Sequence, residues 1–294
     1  MNILMIGHSR SGKTSYMAGL YRLYGDDPKG FGLWMSDTTK REKLTKLGIN
    51  VEKGIYPEGT DIAEEYKFWL QYDNSLLIPF NWYDYRGGAL LESSKTSKDA
   101  EDLVKRISNA DALIVFWDGE KITRMTDDEL EDEYEVLMWA IQKAISNKSS
   151  DENYYPVSFV ITKGDLYDNY SDLIDSPGID FFFPLLKNIA KSKNSVCMIG
   201  VVEVSPDGIS NVSAPLFFSL NYGLHHYVEE RLTYINSEIQ KYEDRSWIGR
   251  VWHSDDFMEK MQSEKNKLEE LEALSNILQK IVNKLKEDKK IIVL

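Results

Sequence analysis

The chain has 294 residues, a formal net charge of −13, a hydrophobic fraction of 42% and a single cysteine, Cys197. That length and apolar content support one large domain or two smaller ones with a sizeable core, and argue against global disorder. The acidic balance argues against nucleic acid or an anionic membrane surface as the main partner, and one cysteine excludes both a disulfide framework and a cysteine-based zinc site within the chain.

Asn2 to Ile6 is an apolar run ending at Gly7, as a buried parallel strand would be, and Lys13 to Tyr24 follows with helical spacing. Residues 25 to 62 are polar and punctuated by glycine and proline. They read as a long surface excursion with one helix near Thr38 to Leu47. Glu65 to Tyr72 and Leu76 to Tyr85 form two strands joined at Asp73-Asn74, an antiparallel hairpin. Arg86 to Lys98 is a Gly- and Ser-rich loop, and a helix spans Asp99 to Asn109.

Next come the strand Ala112 to Trp117, the helix Asp127 to Asn147 with an acidic first turn, and the strand Tyr155 to Thr162. Pro184 to Lys191 sits in a helix, Val196 to Val204 is the last strand, and Pro215 to Tyr242 is a closing helix. Cys197 is expected to be a buried strand thiol. Strands alternating with helices predict an α/β fold: a mostly parallel sheet with one antiparallel edge strand and helices on both faces.

Residues 255 to 290 lack Gly and Pro and carry Leu268, Leu271, Leu278, Val282 and Leu285 as an apolar stripe. This C-terminal helical extension folds back on the domain or offers an effector or oligomer contact. The expected division is 1–245 for the main domain and 246–294 for the extension. The start, MNILMIG, lacks a signal-peptide n-region, and ALIVFW and DFFFPLL are too short to span a bilayer. A soluble, reducing, cytoplasmic setting is expected.

Gly7-His8-Ser9-Arg10-Ser11-Gly12-Lys13-Thr14 matches G-x-x-x-x-G-K-[ST] in full, after a strand and opening a helix, with Ser15 in the first turn. The glycines let consecutive amides face phosphate oxygens, and the helix adds its positive end. Lys13 can reach the β- and γ-phosphates, and Thr14 can ligate Mg²⁺. Three further segments follow in order: Asp84-Tyr85-Arg86-Gly87 as D-x-x-G, Thr162-Lys163-Gly164-Asp165 as [NT]-K-x-D, and Glu203-Val204-Ser205 after the last strand.

Over residues 1 to 240 these motifs resemble the Ras-like, translation-factor-related P-loop GTPases. The excursion before Thr60 and the D-Y-R-G-G run look most like the bacterial double-GTPase group of conflict systems. The resemblance implies a P-loop NTPase fold binding GTP or GDP with Mg²⁺. Asp84 would hold the metal through water, and the Gly87 amide would sense a γ-phosphate. Asp165 would accept from the guanine N1 and N2 groups, Lys163 would lie over the ring, and the Ser205 amide would face O6. Thr60 stands where a metal-binding switch threonine is expected, with Thr38 and Thr39 as upstream alternatives.

Gly88 occupies the place of the usual water-orienting glutamine, so hydrolysis should be slow. Arg86, Arg10, His8 or a partner residue are the candidates to replace it. Two rivals remain: a non-hydrolysing guanine-nucleotide scaffold, favoured by Gly88, and a P-loop ATPase or kinase, opposed by Thr162 to Asp165.

Overall fold

A computed structural model of the chain describes residues 1–25, 30–58, 63–72, 75–85, 95–148, 155–167, 177–191, 195–243 and 254–294. Thr60, Arg86, Gly87 and Gly88 lie outside these residues.

Five strands run parallel at the centre: β1 (Asn2–Gly7), β4 (Ser75–Asp84), β5 (Ala112–Asp118), β6 (Tyr155–Thr162) and β7 (Ser195–Val201). Every residue of β5, β6 and β7 is buried, which is why these segments read as continuous apolar runs and not as alternating ones. β3 (Glu64–Tyr72) pairs antiparallel with β4, as the hairpin reading predicts, and its Tyr66, Phe68 and Leu70 alternate inward. Two short edge strands were not foreseen: β2 (Phe31–Trp34), inside the predicted excursion, and β10 (Ile291–Val293). The sheet order is β10-β7-β6-β5-β1-β4-β3-β2.

Alternate residues of the central strands feed two separate cores. Ile3 and Met5 of β1 and Ile114 and Phe116 of β5 face α1 (Lys13–Tyr24), α2 (Thr38–Val51), α7 (Ser213–Glu243) and α8 (Ser254–Glu287). Leu4, Ile6, Val115 and Trp117 face α3 (Lys98–Asn109), α5 (Asp127–Ser146) and α6 (Pro177–Lys191). Local chemistry starts these helices where the sequence permits. Ser97 accepts from Ala100 N at 3.1 Å ahead of α3, and Thr126 with Glu129 forms a reciprocal capping box at α5.

The run predicted as one last strand, Val196 to Val204, is divided. β7 ends at Val201, and β8 (Glu203–Ser205) forms a separate hairpin with β9 (Gly208–Ser210). The hairpin closes on α1, where a side-chain carbon on Gly19 would stand 2.9 Å from Val204. The stripe of α8 faces α7 within the same chain: Leu268, Leu278 and Val282 are buried, and Asn221 Nδ2 donates to Gln279 Oε1 at 2.8 Å. Beyond α8 the chain joins the sheet through β10, where Leu294 N donates to Cys197 O at 2.9 Å. Cys197 is a buried strand thiol, as expected. No helix among the described residues is long and apolar enough to cross a membrane.

Candidate nucleotide-binding site

β1 lies between β4 and β5, so the chain leaves it toward one side of the sheet and later returns on the other. A crevice at such a reversal, beyond the carboxyl ends of the strands, is where open α/β sheets bind ligands. The phosphate-loop sequence Gly7 to Gly12 occupies this point. Gly12 has φ 85° and sits against Thr162, with an added Cβ 3.0 Å from its Cγ2. Arg10 is also left-handed, at φ 64°, and is exposed. No side chain caps the start of α1, so its first amides are available to an anion.

Lys13 is 5% exposed, and its Nζ donates to Gly7 O at 2.8 Å and His8 O at 2.9 Å. Burial lowers its pKa while Asp84 opposes that shift. Asp84 ends β4, is 3% exposed, and shares a side-chain hydrogen bond with Thr14. Its other oxygen, Oδ1, has no hydrogen-bond partner, nor does the buried Ser11 Oγ. Burial pushes the Asp84 carboxyl up to about 6, with Lys13 pulling down and Glu64 pushing further up. An orphaned carboxylate oxygen beside a threonine hydroxyl and a buried lysine fits a hard cation on a phosphate chain. Ser9, Thr14 and Ser15 are half-buried around the same loop.

His8, in the same loop, is buried. Its ring is 2% exposed, meets Tyr134 edge-on at 4.8 Å, and neither nitrogen has a hydrogen-bond partner. Burial, with Lys121 and Lys13 nearby, pushes its pKa down from 6.5 to about 3. A depressed histidine pKa contributes stability above the unfolded value that is lost as pH falls toward the folded one. His8→Phe, which keeps the ring contact, is therefore expected to flatten the acid limb of a pH–stability curve. The expected relief is on the order of 2 kcal/mol at about pH 5. Denaturant titrations of both proteins check this, and parallel acid limbs would refute it.

Thr162 ends β6 and joins three segments, since its hydroxyl lies 3.0 Å from Ser11 O and 3.2 Å from Trp117 O. Lys163 follows with φ 60°, and Asp165 lies in a single 3-10 turn, Gly164–Leu166, whose first amide donates to Val202 O at 3.1 Å. Asp165 is exposed beyond the end of β6, and the partial loss of water around its carboxyl, then Glu203 and Asp207, raise its pKa. Ser205 is buried in the neighbouring hairpin. Its hydroxyl donates to Glu203 Oε1 at 3.1 Å and accepts from Asp207 N at 3.2 Å.

The structure adds three residues that sequence reading missed. Lys163 Nζ donates to Asp118 Oδ2 at 2.8 Å and to Glu120 Oε2 at 3.0 Å. Both carboxylates flank the start of α4 (Gly119–Arg124), itself unforeseen. Burial works against the Lys163 charge, but these two bonds overcome it and raise the pKa. Tyr56, half exposed, has its pKa raised by burial and then by Asp165 and Asp207, while Gly54 beside it faces Pro206 of the hairpin turn. The readable signal was the Asp-Gly-Glu sequence directly after ALIVFW, a strand end with a helix cap.

No protein-family model matches the chain, and no curated protein matches it in sequence. Among solved structures, it is similar to an ADP-ribosylation-factor-like GTP-binding protein of Encephalitozoon cuniculi in complex with GDP, a small COPII coat GTPase. That match has a TM-score of 0.32 and 13% identity, over 81% of this chain and 82% of that one. The signal recognition particle receptor SRb-GTP/SRX complex of Chaetomium thermophilum gives 0.42 and 13%, over 74% and 95%. The G domain of the T. maritima FeoB iron transporter gives 0.36 and 17%, over 76% and 98%. Strand order, the loop on β1 and helices on both faces make the fold that of a P-loop NTPase.

Proposed function

We propose that the chain binds GTP and GDP with Mg²⁺, hydrolyses GTP slowly to GDP and phosphate, and serves as a nucleotide-controlled switch for a protein partner in the cytoplasm. The carrying observation is convergence. The phosphate loop on β1, Asp84 on β4 and the Thr162–Asp165 turn on β6 meet at one end of the parallel strands, although they lie far apart in sequence.

Lys13 would release the loop carbonyls to meet the β- and γ-phosphates. Thr14 would ligate the Mg²⁺ directly, and Asp84 would hold it through water. When bound, the ion neutralises phosphate charge and polarises the bond to be broken. Asp165 supports guanine over adenine, because a carboxylate is matched by the two guanine donors and by none on adenine.

The switch reading draws support from α2. Lys43 Nζ bonds Glu64 Oε1 at 2.5 Å at the start of β3, opposite Asp84, so a helix of the excursion is fastened beside the metal position. Thr60 stands between α2 and β3 in sequence, and we assign it as the switch threonine, with Arg86 and Gly87 as the γ-phosphate-facing pair. Residues 1–245 would form the GTPase unit and 246–294 an extension. Because the α8 stripe is covered by α7, any effector contact there would use the outer faces of these helices.

Purified chain with Mg²⁺ is to be titrated separately with GTP and ATP while phosphate release is followed. GTP-selective binding with slow release is the expected result, and ATP preference would overturn it. Selective binding with no release would favour the scaffold reading, for which Gly88 in the sequence speaks.

A further inference from the structure

We propose that Asp118 is a positioning residue for base recognition, acting through Lys163; this rests on the guanine reading above. Lys163 is a non-glycine residue in the left-handed region, at φ 60°, a conformation that persists only where the surroundings hold it. Two separate segments hold it. Its Nζ is tied to Asp118 at the end of β5 and to Glu120 in the first turn of α4, while the following amide, Gly164 N, is tied to Val202 beyond β7.

Asp118 is 3% exposed and uses both oxygens: Oδ2 takes the Lys163 ammonium, and Oδ1 accepts from Glu120 N at 3.1 Å. The carboxylate therefore cannot rotate away, and the ammonium has a fixed end point. A buried carboxylate is costly without a hydrogen-bonded counter-charge, so the pair enforces its own geometry. With the head anchored, the methylene stem of Lys163 has a set course beside the base-binding turn. Asp165, two residues on in the same turn, inherits its direction from that anchor. Asp118 thus sets how a planar base with edge donors is received without touching it.

The test uses the full chain and measures GDP and ADP dissociation constants for Asp118→Asn, Lys163→Ala, the double variant and the unaltered protein. Asparagine keeps the helix cap and removes the charge. The expected result is a loss of GDP affinity of roughly tenfold in D118N with ADP affinity unchanged, and no further loss when D118N is added to K163A. Equal losses in both backgrounds, as a general structural defect would give, overturn the inference. So does unaltered GDP affinity in D118N.

If D118N folds poorly, Glu120→Gln at its more exposed position decides in the same cycle. A loss of about twofold confined to the Lys163 background supports the inference, and its absence overturns it. Failure of the unaltered chain to bind GDP would instead overturn the guanine reading and this inference together.

Discussion

Asp165→Asn is expected to weaken GDP and GTP binding by roughly a hundredfold while leaving ADP binding unchanged. The carboxylate offers two acceptors to two guanine N–H groups, whereas an amide offers one acceptor and turns a donor toward the other N–H. The setting magnifies the difference. Burial and the nearby Glu203 and Asp207 already raise the Asp165 pKa, so the free site carries crowded negative charge that donors on a base edge would relieve. Calorimetric titration with the two diphosphates measures this. Equal affinity of D165N and the unaltered chain for GDP would remove Asp165 from base recognition.

Asp84→Asn is expected to divide stability from function. The folded carboxyl titrates at about 6 against 3.8 when free. A carboxyl pKa raised on folding contributes stability that is complete below the unfolded value and lost as pH rises through the folded one. At neutral pH the ionised side chain is therefore a net cost of roughly 1–3 kcal/mol. The neutral amide keeps the Thr14 contact and avoids that cost, so the nucleotide-free variant should melt higher. The same change would remove the anionic acceptor proposed for the metal shell, so Mg²⁺ should no longer strengthen nucleotide binding. Thermal melts without nucleotide, and GDP titrations with and without Mg²⁺, check both halves. A lower melting temperature, or an unchanged Mg²⁺ effect, would contradict the assignment.

What the sequence disclosed follows the range of the interactions. The turn at Gly7–Thr14 was legible because its motif is local: eight consecutive residues lead from a strand into a helix. β5 and β6 were legible because burial on both faces leaves an apolar run with no competing period. β2 and β10 were not, since strands of 4 and 3 residues carry no usable period and owe their pairing to distant partners. The apolar run through Val204 hid the bend at Val202, because the hairpin after it is also packed inward, against Gly19. Asp118 and Glu120 escaped because their meaning lies in Lys163, 45 and 43 residues away. Thr60, Arg86 and Gly87 remain assignments on sequence position.

The Thr162 hydroxyl, 3.0 Å from Ser11 O and 3.2 Å from Trp117 O, ties the loop ahead of α1 to the ends of β5 and β6. A ligand that reaches both ends then behaves as a chelate. On the proposed nucleotide reading, seating the phosphates would bring the base to the Thr162–Asp165 turn at a high effective concentration and with little residual freedom left to lose. Guanosine alone and pyrophosphate alone would each forgo that advantage, so the intact nucleotide is worth more than its two halves combined.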